Sequence, residues 1–405
     1  MPRVLLFYHY FYPDNVVSAQ HFTDLATGLI GKGWEVMAYA SNRGCRDETQ
    51  KYPRRSNFKS VNIRRFWRPP IRQSSSIGRI VNALWINIVW SIAALQYRKF
   101  PNLDALIVGT DPVLSVLVVQ VWKLFRPHTQ LVHWCFDLYP EAAIADGVIG
   151  SGSLVARIVQ KMLARAYKAL DAIVDIGPCM QALLMGYAPK ARYSTITPWA
   201  LSEPLAFPQA DPGERLELFG DSKIGLLYSG NLGRAHQYDA FLRLSTLLDP
   251  GEFKIAFSVR GNCAQSFWEA VDESVHHISE ASFVPVNRLE ARLCAADIHL
   301  VSLKENWTGT VVPSKFFGAL AVGRPVLFYG SMDSALAQWI QAYEVGWVLT
   351  DDHVQEVAEQ LTALRREPQK LSSIKRHCFD VYQAHFSRSA MIDRWDTLLR
   401  ELLQA

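Results

Sequence analysis

Three stretches of the chain place glycines or a proline beside a cation, each where an apolar strand-like run gives way to a helical pattern. They are Tyr228-Ser229-Gly230-Asn231-Leu232-Gly233-Arg234, Val259-Arg260-Gly261-Asn262 and Val311-Val312-Pro313-Ser314-Lys315. Glycine lets a backbone approach a ligand closely, and arginine can clamp an anionic oxygen. Pro313 suits the first turn of a helix, where its missing N–H costs nothing. The N–H groups of Ser314 and Lys315 then lie at the positive end of the helix dipole, a place that holds phosphate. Each stretch alone also fits a tight turn or a capped helix. Three in the same position of successive βα units point more strongly to a phosphate-binding edge made by Ser229, Gly230, Asn231, Arg234, Arg260, Gly261, Asn262, Pro313, Ser314 and Lys315.

A second set of residues lies in the first half. Cys135-Phe136-Asp137-Leu138-Tyr139-Pro140-Glu141 follows another apolar run. A carboxylate there, Asp137 above all, could take a proton from a hydroxyl. The same residues also read as a helix start with Pro140 and Glu141 in its first turn. The first βα turn, Tyr10 to Ser18, offers Asn15 and Ser18 to an acceptor, with His9 and His21 on either side. There is no G-x-x-x-x-G-K-[ST], no Asp-x-Asp and no G-x-S-x-G. A P-loop, a carboxylate-held divalent cation and a hydrolase elbow are therefore not indicated.

The elements that must position these residues alternate. Strands are predicted at 4–10, 35–40, 103–109, 130–136 and 172–176, with helices at 21–32, 112–125 and 155–169. After the proline-rich stretch Thr195 to Pro212 the alternation restarts. It has strands at 224–228, 254–259, 298–303 and 326–329 and helices at 239–248, 267–274, 289–295, 354–365 and 371–403. Strands separated by helical runs mean parallel sheets covered on both faces. The expected architecture is two doubly wound domains facing a cleft, with ligands at the carboxyl ends of the strands.

The 405 residues suit two such domains, and 49% apolar residues suffice for two cores. The net charge of +4 is too small to imply nucleic acid. Basic residues crowd between Arg43 and Arg79, opposed only by Asp47 and Glu48. That stretch reads either as a solvated loop or as a site for lipid headgroups or a pyrophosphate. Six scattered cysteines, none in a metal-ligand spacing, suggest reduced thiols and no zinc site. Met1 to Tyr12 reads as a first strand, not a signal peptide. Ile80 to Tyr97 carries no charge, but asparagines and mid-segment tryptophans make it a buried helix before a membrane-lying one, and either before a span.

With these motifs in view, the chain resembles the GT-B glycosyltransferases of the large retaining family 4, over essentially its full length. The bacterial colanic-acid, O-antigen and exopolysaccharide enzymes are most similar. The resemblance rests on residues 4–36, on Asp137-Leu138-Tyr139-Pro140-Glu141, on Tyr228-Ser229-Gly230-Asn231-Leu232-Gly233, on Ala295-Ala296-Asp297, and on Pro313-Ser314-Lys315 through Gly323-Arg324-Pro325-Val326. It implies a GT-B fold of two Rossmann-like domains: 1–197 for the acceptor, 198–380 for the nucleotide sugar, and a helix over 381–405 crossing back. It implies transfer of a hexose from a nucleotide-diphosphate sugar, such as a UDP-sugar, to a hydroxyl, with retention and with neither cofactor nor catalytic metal. Asp137, Lys315 and Arg234 would be catalytic, and Asn15, Ser18 and Glu141 would meet the acceptor. The family's usual glutamate pair falls on Thr310 and Gly318, its loop Arg and Lys on Asn231 and His236, its histidine on Phe136, and its Gly-Gly on Val16-Val17-Ser18.

The reading is therefore a cytoplasmic glycosyltransferase of polysaccharide biosynthesis. Its acceptor would be a lipid-linked sugar or oligosaccharide, met by peripheral contact with the anionic inner face of the cell membrane. The departures leave open a non-catalytic nucleotide-sugar-binding subunit, and the architecture leaves open a sugar-nucleotide epimerase.

Overall fold

The structure, a computed structural model, describes residues 1–73, 75–271 and 277–404. It divides into two compact units, Met1–Thr197 with the chain from Met391 onward, and Pro198–Ala390. The return to the first unit thus comes at Met391, not at residue 381.

The first unit is built on an 8-stranded sheet. Its strands are β1 (Arg3–Phe7), β2 (Glu35–Ser41), β3 (Arg55–Phe58), β4 (Val61–Phe66), β5 (Ala105–Gly109), β6 (Gln130–Trp134), β7 (Ala172–Asp175) and β8 (Tyr193–Thr195). The order is β3-β4-β2-β1-β5-β6-β7-β8, parallel throughout except for the β3/β4 pair. β5 is buried along its whole length, as an apolar strand covered on both faces must be. The chain order reverses between β1 and β5, so a crevice opens at their carboxyl ends.

The second unit repeats the plan. β9 (Ile224–Asn231), β10 (Phe253–Arg260), β11 (Ile278–Glu280), β12 (Ile298–Ser302), β13 (Val326–Tyr329) and β14 (Gly346–Leu349) form a parallel sheet. Its order is β11-β10-β9-β12-β13-β14, with the reversal between β9 and β12. The fold is α/β, with two Rossmann-like, doubly wound units.

Several expectations change. Part of the basic stretch is neither a solvated loop nor a surface patch. It folds into the β3–β4 hairpin, and Arg43, Arg65 and Arg68 are buried. Their guanidiniums donate to backbone oxygens: Arg43 to those of Arg68 and Glu48, Arg65 to that of Pro53, and Arg68 to that of Gly44. The helix Ser76–Ala93 buries only one face, with Ile86 and Trp90 inward and Ile80 and Leu84 outward. Among the described residues, no helix is long and apolar enough to cross a membrane. The predicted 371–403 helix is two, Pro368–His385 and Arg388–Gln404, broken where Phe386 enters a cluster of Phe316, Phe317, Trp339 and Tyr343. The helix predicted over 267–274 is Ala264–Ala270. Residues 272–274 lie outside the described residues.

Candidate functional site

In the second unit the sheet brings two of the three cation-bearing stretches into register. Gly230 pairs with Val259 and Asn231 with Arg260, so the ends of β9 and β10 lie side by side. The Leu232 N–H donates to the Arg260 oxygen at 2.6 Å, and the Cys263 N–H to the Leu232 oxygen at 3.0 Å. Gly230 and Gly261 hold φ of 127° and 118°, left-handed values that favour glycine. A Cβ on Gly261 would lie 2.4 Å from Asn231 Oδ1.

The third stretch reaches the same place through its side chain. The Lys315 ammonium donates to the Asn231 oxygen at 2.8 Å and sits 4.9 Å from the Tyr228 ring centroid. A Cβ on Gly230 would come within 2.9 Å of Lys315 Cε, so this glycine makes room for the lysine. Lys315 keeps intermediate exposure as a residue, yet desolvation of its ammonium lowers its pKa to about 8. Most of the population is cationic at neutral pH.

The helix itself differs from expectation. It runs Lys315–Ala321 with Ser314 as its N-cap, so Pro313 precedes the helix and does not occupy its first turn. Two turns make a weak dipole, so the positive charge at this edge comes from side chains. His236 and Lys304 complete the crevice between β9 and β12. The Lys304 N–H donates to the Ala235 oxygen at 2.8 Å, and His236 Nδ1 donates to the Ser302 oxygen at 2.7 Å. A carbonyl only accepts, so His236 carries its proton on Nδ1. Desolvation, then the Lys315 charge, lower its pKa to about 4, which keeps the ring neutral. Ser229 is half-buried at the end of β9, and Arg234, Arg260 and Asn262 are exposed on these turns. Arg260 stacks on Phe283, 4.9 Å from its centroid.

In the first unit the crevice between β1 and β5 holds a cluster of which sequence reasoning marked only His9. The His9 N–H donates to the Asp111 oxygen at 3.1 Å. The His9 ring lies between two charged partners, Asp111 Oδ1 at 3.2 Å from Nδ1 and Arg68 Nη1 at 3.1 Å from Nε2. A guanidinium only donates, so Nε2 accepts and Nδ1–H points at Asp111. Arg68 has 0% exposure and also donates to the Tyr10 hydroxyl at 3.0 Å. Burial outweighs the Asp111 charge and lowers the His9 pKa, consistent with a neutral ring. Asp137, at the end of the neighbouring β6, is solvent-exposed, yet the dense protein around it and then the Asp111 carboxylate raise its pKa to about 6. Asp111 immediately follows an apolar strand and a threonine, a position that could have drawn notice. Nothing local singles out Arg68.

The other candidates in this unit separate. Ser18 lies near the buried Tyr8 hydroxyl, beside the crevice. Asn15 is exposed on the first turn, where its backbone oxygen accepts from Gln20. Glu141 opens the helix Glu141–Ala145 and accepts from the Tyr187 hydroxyl and from Gln160 at 3.4 Å. It is tied into the helix packing.

Two residues of the resemblance motifs are scaffold. Asp297 accepts from Arg215 and from the Gly225 N–H, each at 2.8 Å, and from Lys375. Arg324 is buried and donates to the Cys294, Ala296 and Val322 oxygens. Among the described residues, no group of three His, Cys, Asp or Glu side chains is arranged to hold a metal ion.

No protein-family model matches the chain. It is 23% identical over 307 residues to the probable glycosyltransferase WbjE of Pseudomonas aeruginosa, covering 74% of this chain and 75% of that protein. Its fold is similar to that of sucrose-phosphate synthase from Thermosynechococcus elongatus, with a TM-score of 0.72, 13% identity and full coverage of both chains. WaaG, a glycosyltransferase of lipopolysaccharide biosynthesis, superimposes with a TM-score of 0.63 at 13% identity, covering 98% and 99% of the two chains. Anabaena HepE, solved with UDP and glucose, does so with a TM-score of 0.64 at 10% identity, covering 99% and 100%.

Proposed function

We propose that the chain is a retaining glycosyltransferase of the family 4 kind that moves a hexose from a nucleotide-diphosphate sugar to a hydroxyl acceptor. The observation that carries this reading is the Lys315 ammonium seated on the Gly230 turn, at the reversal point of the second sheet. A diphosphate placed there would meet a desolvated cation and the glycine-opened backbone of β9, with Arg234 on the same turn and the Lys304 backbone bonded to Ala235 beside it. Fixed positive groups stabilise the charge that grows on a departing nucleoside diphosphate. In this reading no catalytic metal and no cofactor take part. The Arg260–Asn262 turn would lie against the base, and Asp137, with Asn15 and Ser18, would meet the acceptor. The likeness to WbjE, and to neighbours that act on sugars or hold UDP, supports the class of reaction. A lipid-linked saccharide of surface-polysaccharide synthesis, presented at the cytoplasmic face of the membrane, is the acceptor we favour.

The test is a melting-temperature screen against UDP-, GDP-, ADP- and dTDP-sugars, followed by assay of nucleoside diphosphate release with and without EDTA. One donor should raise the melting temperature by mass action, and Lys315→Ala should remove the rise. Release should persist in EDTA. Binding without release would make the chain the non-catalytic subunit. Release of free nucleotide with a 2-epimer would make it an epimerase. No shift with any donor would end the reading.

A further inference from the structure

The helix Ser76–Ala93 is apolar on two faces. Ile86, Trp90 and Ala93 pack into the first unit, while Ile80, Leu84, Ile88 and Ile92 are 61%, 60%, 53% and 48% exposed. At 100° per residue the outward four fall within an arc of about 120°. A water-facing row of this kind is what a soluble surface avoids.

The helix Leu154–Tyr167 packs on the same Ser115–Leu117 turn and Val118–Phe125 helix, so the two helices flank one side of the sheet. It exposes Val155 and Ile158, and beside that row an exposed stripe of Arg157, Lys161 and Arg165. No Asp or Glu occurs from Arg72 to Leu103 or from Gly147 to Leu170. Exposed Arg72 and Arg98 lie just beyond the two ends of the first helix.

We infer that this face, formed by the helices Ser76–Ala93 and Leu154–Tyr167, lies on a bilayer that carries anionic lipid. The apolar rows enter the boundary between headgroups and acyl chains, and the basic side chains reach the phosphates. The charge pattern selects this occupant over a second copy of the chain. A two-fold contact would set the basic stripe against itself, with no acid on either helix to answer it. The first helix, at about 1.5 Å per residue, gives a ridge on the order of 27 Å long, suited to lying in an interface.

The test uses the full chain and needs no sugar donor, so its failure would leave the transferase reading standing. Vesicles of phosphatidylcholine, and of phosphatidylcholine with an equal share of phosphatidylglycerol, are sedimented with the protein at low and at physiological salt. The anionic vesicles should carry the protein down, less so as salt rises. Leu84→Glu combined with Ile88→Glu should cut binding at least tenfold with the melting temperature unchanged. Lys161→Ala and Arg165→Ala should each weaken binding about fivefold. The inference falls if anionic vesicles fail to bind at low salt, or if the double glutamate variant binds as well as the parent. It falls equally if sedimentation equilibrium finds a dimer that the double variant dissociates.

Discussion

At the scale of single residues, the donor site proposed for the second unit depends on one lysine. Removing a charge-assisted contact of this kind costs about 1.5–3 kcal/mol, so Lys315→Ala should weaken binding of the matching nucleotide roughly 10- to 100-fold by calorimetric titration. The proton linkage has a definite sign. Unliganded Lys315 has a pKa of about 8, and a bound diphosphate favours its charged form. Affinity should therefore be flat below pH 7 and fall above pH 8 by up to about tenfold per pH unit, with proton uptake on binding. The Lys315→Ala variant should lose this dependence. Gly230→Ala should behave much like Lys315→Ala, because its Cβ meets the lysine stem and its φ of 127° is strained for alanine. In the first unit, Asp111→Asn should lower turnover and leave donor-induced stabilisation in place, since Asp111 belongs to the β1/β5 crevice. An unchanged turnover would remove Asp111 from the reaction.

At the scale of elements, two anchors tie helices to the sheets. The helix Arg388–Gln404 joins the first unit through Trp395, which is buried against Trp134, and through Asp396, which accepts from the Trp34 indole at 2.6 Å. Ile392 fills the space over Gly28, where a Cβ would lie 2.4 Å from its Cδ1. Trp395→Ala should destabilise by about 3–5 kcal/mol in denaturant titration. In the second unit Asp297 locks the start of β9 to two helices through Gly225, Arg215 and Lys375. Burial alone would raise its pKa, but the Lys375 and Arg215 cations outweigh this and hold it below the ordinary value. Its contribution is thus complete above the unfolded carboxylate pKa and is lost as pH falls through the depressed folded value. Asp297→Asn should cost about 1.5–3 kcal/mol near neutrality, because two half-buried cations lose their charged hydrogen-bond partner. The deficit should shrink in acid.

For the molecule as a whole, each unit has its own sheet and its own buried apolar core. Calorimetric unfolding should therefore resolve two transitions. A bound nucleotide sugar should raise the one that belongs to 198–390, and Trp395→Ala should lower the other. A single transition that moves as one under both changes would contradict this independence.

Alternation of apolar runs with helical periodicity determined the doubly wound class, because a parallel sheet covered on both faces requires apolar strands of that length. The strand-end position of the Gly230 and Gly261 stretches was legible for the same reason, whereas Lys315 starts a helix well beyond the end of β12 and reaches that place through its side chain. Local pattern could not say which side chains would meet. Asp111, His9 and Arg68 lie far apart in the chain and are joined only by the β1/β5 reversal and the turn after β4. The basic stretch read as surface because charge is normally solvated, and only the tertiary structure supplied the carbonyl oxygens that let its arginines go inside. The charge-free helix read as buried because apolar residues usually are. Which of its two apolar faces remained uncovered was decided by packing, since the unit has room to bury only one.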